Sequence, residues 1–236
     1  MIVTGAAGGI GRAVVTALVE HGCRVAACDL PGTHVDEIDG ALVTVEFDVR
    51  DRTAVRTELG RAIAALGGCD SVVANAGVVD TIHRAESFSE EDWRRDVETN
   101  LYGAFYLAQA AFEALAASGD GRVVLISSVG AETGIPGQVA YGASKAGLVG
   151  MVRTLAAEWA SRGIRCNVVM PGFIATPKVR SMRDEIQASV ISAIPLGRFG
   201  ETEELAGVVC FLLSPAAAYI TGAVLRVDGG FGLAMR

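Results

Sequence analysis

The amino-acid sequence predicts a single doubly wound α/β domain over residues 1–236, with a central parallel sheet of about seven strands and helices on both faces. Three observations carry that reading. Short apolar runs alternate with amphipathic helical patterns along the whole chain, as in repeated βαβ units, and no linker, repeat or charge block interrupts them. Helices between successive short apolar strands cover the sheet on both sides, so both of its faces are buried. Glycine accounts for 29 of 236 residues. That is about 12% against an average near 7%, without a collagen period, which marks many tight turns.

The elements follow in order. Only Met1, Ile2 and Val3 precede Thr4-Gly5, so the first strand is very short, and a glycine-rich turn leads into a helix over about Ile10–His21. Arg24–Cys28 and Leu42–Phe47 supply the next two strands, followed by a helix over about Thr53–Leu66. Ser71–Ala74 is a fourth strand, about Glu90–Ser118 one long helix, and Arg122–Ser127 a fifth strand. A helix over about Tyr141–Ser161 precedes the sixth strand, Arg165–Met170. Residues 176–200 form an excursion in which Lys178–Pro195 mixes Lys178, Arg180 and Arg183 with Met182, Ile186 and Val190, the pattern of a short helical lid. A helix over about Glu203–Leu213 and a strand near Val224–Val227 close the pattern. The uncharged stretch Leu205–Leu225 is cut by Ser214-Pro215 and Thr221-Gly222, so it reads as helix, turn and strand rather than a membrane span.

Composition excludes several classes. Twenty basic against 27 acidic residues give a net charge of −7, too acidic for a nucleic-acid partner bound by charge neutralisation. Five cysteines form no CxxC pair and the N-terminal MIVTGAAGG has no signal-peptide pattern, so a reducing cytoplasmic location is expected. His21, His34 and His83 are scattered, and no metal site is expected.

Chemistry concentrates in a few places. Gly5, Gly8, Gly9, Ile10 and Gly11 sit between the first strand and the first helix. There the backbone can approach a pyrophosphate, and the helix N-terminus offers free N–H groups and a positive dipole end. A plain glycine turn is the simpler alternative; the strand–turn–helix context favours the nucleotide. Asp29, 18 residues past Gly11 at the end of the second strand, can accept hydrogen bonds from both adenosine ribose hydroxyls while repelling a 2′-phosphate. Gly8 adds no basic side chain for that phosphate, and Arg50 and Arg52 follow the third strand rather than the second. NAD is therefore expected over NADP. Tyr141 and Lys145 stand four apart on one helix face and can address one ligand. Lys145 is one of only two lysines among 20 basic residues, a compact ammonium where the chain otherwise uses arginine. A tyrosine working as acid or base near neutrality must titrate well below about 10, and a neighbouring ammonium favours that. Ser128, just past the fifth strand, can donate to a substrate oxygen, with Ser127 as its competitor. No G-x-S-x-G elbow supports a hydrolase.

Taken in order, TGAAGGIG at 4–11, Asp48-Val49, Asn75-Ala76-Gly77, Asn100, Ser128, Tyr141-x-x-x-Lys145, Pro171-Gly172 with Thr176, and Val227-Asp228-Gly229-Gly230 resemble the short-chain dehydrogenase/reductase family over nearly the whole chain. The resemblance implies a Rossmann-type domain whose catalytic residues are Asn100, Ser128, Tyr141 and Lys145. It selects Ser128, 13 residues before the tyrosine, over Ser127. It implies that Asn100 anchors a water in a proton relay from Lys145, and that Lys145 binds the nicotinamide ribose. Asp48 and Asn75 would meet the adenosine side, Ile174 and Thr176 the nicotinamide amide, with Val49, Ala76, Gly77, Pro171 and Gly172 in the same cofactor site. The mechanism expected is hydride transfer between NAD(H) and a secondary alcohol or ketone, with Tyr141 exchanging the proton. Ile194–Gly200 also resembles 3-oxoacyl-thioester reductases, a second reading. A non-catalytic dinucleotide sensor would lack part of the Asn–Ser–Tyr–Lys set, and an extended epimerase or dehydratase would need a larger substrate region. The apolar helices Leu101–Leu115 and Ala143–Trp159, with the resemblance, imply a homotetramer or dimer.

Overall fold

The computed structural model of the chain describes residues 1–80 and 82–233; residues 81 and 234–236, part of the domain expected over 1–236, lie outside them. Seven strands form one all-parallel sheet: β1 (Ile2–Thr4), β2 (Ala26–Asp29), β3 (Val43–Glu46), β4 (Ser71–Ala74), β5 (Gly121–Ile126), β6 (Ile164–Pro171) and β7 (Val224–Val227). Their order is β3-β2-β1-β4-β5-β6-β7. Connections wind one way from β1 and the other way from β4, which opens a crevice at the carboxyl ends of these two strands.

Along β1 the pleat sends Ile2 into the core on one face of the sheet and Val3 into the core on the other. The first core holds Leu59, Leu107, Leu148 and Val168; the second holds Val14, Leu18, Val124 and Val209. Each such side chain contributes about 1.5–3 kcal/mol by leaving water. The strand is short, yet it is buried throughout and paired on both sides, to Ala26 and to Val72 at Ile2.

The helices are α1 (Gly9–Glu20), α2 (Arg52–Leu66), α3 (Glu90–Val97), α4 (Gly103–Ala117), α5 (Gly130–Thr133), α6 (Val139–Trp159), α7 (Pro177–Arg180), α8 (Asp184–Ser192) and α9 (Thr202–Leu212). One expectation needs correction. The single helix read over about 90–118 is two α-helices joined by a π-helical turn, Glu98–Tyr102. Two contacts account for it. The Asn100 side chain bonds both main-chain groups of Val78, and Gly103 lies against Val49, whose Cγ2 would be 2.7 Å from an added Cβ. Periodicity alone does not show such a widened turn.

The uncharged stretch after Glu204 resolves into α9, a 3₁₀ turn at Pro215–Ala217 and β7. Among the described residues no helix is long and apolar enough to cross a membrane. The 176–200 excursion holds α7 and α8, neither with a buried residue, and its base is closed by a parallel bridge between Ile174 and Gly200. All five cysteines are free thiols.

Candidate active site

A cavity of about 890 Å³ opens at the carboxyl ends of the strands, a size suited to a dinucleotide. It gathers every cofactor-contact residue the sequence singles out, together with Ser128, Tyr141 and Lys145. Asn100 is not in its wall.

The glycine-turn end is built from backbone. Gly5 turns with φ +64°, and an added Cβ would lie 2.8 Å from Ala76 Cα. Asn75 Nδ2 donates to the carbonyls of Thr4 (3.1 Å) and Gly5 (3.0 Å), while Thr4 Oγ1 accepts from the N–H groups of Asn75 and Ala76, both at 3.3 Å. These bonds lock the ends of β1 and β4 together across the crevice. α1 then starts at Gly9, behind Gly8, with no side-chain cap on its first N–H groups. A Cβ on Gly9 would come within 3.0 Å of Thr176 Cγ2, so the glycines leave a narrow cradle for an anionic group at a positive helix end. The cradle and the cavity fit a pyrophosphate-linked dinucleotide.

Asp29 forms part of this wall. Its Oδ2 accepts from Ala7 N–H and its Oδ1 from Leu30 N–H, both at 2.8 Å, which fixes the carboxylate and leaves further lone pairs free. Asp48 accepts from Arg50 Nε (2.9 Å) and Nη2 (2.6 Å), and this pairing holds its carboxyl below the usual 3.8. Arg50 also lines the cavity, so the sequence placed it too far away by counting from the second strand alone. Asp48 Oδ1 also accepts from Arg50 N–H at 2.9 Å and so caps a turn, while Asp51 caps α2.

At the other end α6 carries Tyr141 and Lys145 on one face. Lys145 is buried, its Nζ donates to the Ile126 carbonyl at 2.8 Å, and burial lowers its pKa to about 8. Burial raises the Tyr141 phenol above 10, and a hydrogen bond from Ser128 opposes that rise. The lowering expected from Lys145 is absent: its Nζ stands 5.8 Å from the centre of the Tyr141 ring and is turned to the main chain. The two serines separate cleanly. Ser127 Oγ donates to the Lys145 carbonyl at 2.8 Å and is buried as a helix tether, whereas Ser128 Oγ accepts from Gly130 N–H at 3.1 Å beside Tyr141.

Asn100 sits behind this group. Its Oδ1 accepts from Val78 N–H (2.7 Å), and its Nδ2 donates to Val78 O (3.0 Å) and Ser144 Oγ (3.2 Å). Gly77 separates it from Lys145: a Cβ there would meet Asn100 Oδ1 at 2.9 Å and Lys145 Nζ at 3.0 Å. Gly172 has a different reason for lacking a side chain, since a Cβ would fall 2.7 Å from Asp228 Cβ. Ile174 is buried under the excursion, and Thr176 Oγ1 caps α7 by accepting from Val179 N–H.

Sequence reading missed Val78, Val79, Arg95 and Thr99 in the cavity wall. Thr99 adjoins Asn100, and Arg95 lies one turn earlier, so helical spacing back from Asn100 was the available signal. Lys178, read as part of a lid, also lines the cavity and pairs with Asp80 on the loop after β4.

A doubly wound sheet, a glycine cradle at its switch point and a Ser–Tyr–Lys group facing the same cavity define a nicotinamide-dinucleotide oxidoreductase fold. The chain belongs to the short-chain dehydrogenase/reductase family: a family model described as enoyl-(acyl carrier protein) reductase matches residues 5–232. It is 40% identical to a (3R)-3-hydroxyacyl-CoA dehydrogenase of Rattus norvegicus, covering 97% of this chain and 94% of the relative. It is 36% identical to a 3-oxoacyl-acyl-carrier-protein reductase of Thermotoga maritima, covering 97% and 96%. Among solved structures, one described as a short-chain alcohol dehydrogenase of Sinorhizobium meliloti is 37% identical with a TM-score of 0.91, covering 99% of this chain and 96% of the other.

Proposed function

We propose that this oxidoreductase interconverts a 3-oxoacyl and a 3-hydroxyacyl thioester with NAD(H). The observation that carries the reading is the convergence of Ser128, Tyr141 and Lys145 on one cavity with the glycine cradle. The substrate class follows the printed names of relatives matched over nearly their whole length, and it narrows the broader secondary alcohol or ketone expected from the sequence. The substrate oxygen sits between Ser128 and Tyr141. Ser128 donates a hydrogen bond that positions it, and Tyr141 gives or takes the proton. Lys145 and Asn100 support that step from behind, Lys145 by holding the nicotinamide ribose and Asn100 by fixing the π turn against Val78 and Ser144. The bound nicotinamide supplies the hydride, and its oxidised form adds a positive charge that favours the phenolate.

Asp29 supports NAD, because a fixed carboxylate at the ribose repels a 2′-phosphate. The nearby Arg50 is neutralised by Asp48. Residues 176–200 serve as the substrate lid, with Thr176, Pro177, Lys178 and Val179 at the start of the excursion lining the cavity. Exposed Tyr102 and Phe105 around the start of α4, with Val139 on α6, support a homodimer or tetramer packed through these helices. A cytoplasmic location agrees with the five free thiols.

The family description also names enoyl reduction, but a Ser–Tyr pair that addresses one oxygen favours the carbonyl. The test is a panel of 3-oxoacyl, 3-hydroxyacyl and enoyl thioesters and simple ketones, with NAD(H) and NADP(H) in parallel, followed by the absorbance of reduced nicotinamide. Turnover of 3-oxoacyl thioesters with NADH supports the proposal. Binding of NADH without turnover of any substrate would identify a sensor instead.

A further inference from the structure

α3 buries a single residue, and that residue is a carboxylate. Asp96 is 0% exposed, and neither of its oxygens has a hydrogen-bond partner. An ionised carboxylate in such a place is costly unless a cation answers it. The cation here is Arg95, whose guanidinium stands 3.6 Å from Asp96 Oδ1 and is shared with Asp92 at 3.2 Å. α3 packs against α6, the helix that carries Tyr141, and Arg95 and Tyr141 line one cavity. Asp96 also lies one helical turn before Asn100, which bonds Ser144 on α6; Ser144 Oγ in turn donates to the Tyr141 carbonyl at 2.7 Å. The charge therefore sits behind the proton-transfer group, outside the cavity wall and out of reach of substrate.

We infer that Asp96 is a positioning residue that holds Tyr141 in its protonated, donor form and so extends carbonyl reduction to higher pH. This rests on the role of Tyr141 proposed above. The titratable and charged groups facing Asp96 are Arg95 and Asp92 on its own helix, Asp80 on the loop after β4 and Tyr141 on α6. Burial raises the Asp96 carboxyl above its ordinary 3.8, with Arg95 opposing and Asp92 and Asp80 adding to the rise. In the alkaline range where the phenol titrates, Asp96 is ionised, and its negative charge adds to burial in raising Tyr141. The overall equilibrium of the reaction is untouched. What moves is the pH at which the site turns from proton donor to proton acceptor.

The experiment is an ultraviolet titration of tyrosinate in the whole enzyme. Four tyrosines are present, and subtracting the Tyr141→Phe curve isolates the one of interest. Asp96→Asn should lower the Tyr141 midpoint by about one pH unit, the order expected for one charge several ångströms away in a partly screened interior. Asp96→Val, an apolar occupant of similar size, should do the same and covers the case in which the buried amide prevents folding. The alkaline limb of 3-oxobutanoyl-thioester reduction should fall by the same amount. A midpoint unmoved in both folded variants overturns the inference. The optical titration does not depend on turnover, so it is separate from the catalytic reading, which fails if Tyr141→Phe keeps its activity.

Discussion

The glycine-turn wall of the cavity and the 176–200 excursion beside it are held in opposite ways. The glycine-turn wall is fixed by bonds to the main chain: Thr4, Gly5 and Asn75 tie β1 to β4, and Asp29 ties the end of β2 to Ala7. The 176–200 excursion is held by exposed ion pairs, with Lys178 on Asp80, Arg180 on Glu201 and Arg198 on Glu204, and neither of its helices buries a residue. Exposed pairs are individually weak and screened by salt, whereas a backbone packed to contact tolerates almost no added atom. The glycine-turn wall is therefore rigid, while the excursion is held loosely enough to shift.

The sharpest way to break this contrast is at Gly11. A Cβ there would lie 2.0 Å from the Gly5 carbonyl oxygen. Gly11→Ala should lose about 3 kcal/mol or more in chemical denaturation and lose dinucleotide binding. Arg198→Ala, which removes an exposed ion pair of the excursion, should leave the denaturation midpoint within error.

Lys145 offers a nearly equal effect through pH. Its folded pKa, about 8, lies below the unfolded value of 10.5. The penalty of burying the charged form is thus fully present below pH 8 and is relieved as pH rises toward 10.5. Denaturation curves should show the wild type gaining on Lys145→Met across that window, by up to about 3 kcal/mol. A constant difference would mean that the ammonium is solvated in the folded protein.

Asp29 comes next. Asp29→Ala should shift the NAD-to-NADP ratio of kcat/KM toward NADP by about tenfold, about 1.4 kcal/mol, because the carboxylate that opposes a 2′-phosphate is gone. The smallest effect is expected at Lys178. Lys178→Ala should change the KM of a thioester substrate less than about threefold, and should remove the salt dependence of that KM.

How much of this was legible in the sequence follows the same division. The parallel sheet was implied by apolar runs alternating with helical patterns, and the glycine cradle by Gly5, Gly9 and Gly11, because backbone geometry restricts which residues can stand there. Lys145 stood out because this chain uses lysine only twice. The π turn at 98–102 was not legible, since it depends on Asn100 reaching Val78 from a different βα unit. Arg50 escaped for a related reason: β2 pairs with β3, so the loop after β3 comes to the same wall as Asp29. Asp96 looked like one more charge on a helix rich in them, and only its burial against α6 separates it from Asp92.

The most direct test of the account is the turnover of Tyr141→Phe on an active 3-oxoacyl thioester with NADH, measured beside its affinity for NADH. The loss of a general acid predicts kcat reduced by about 10²–10⁴-fold, with cofactor affinity within about threefold of wild type. Retention of most of the turnover would contradict the assignment of the proton to Tyr141.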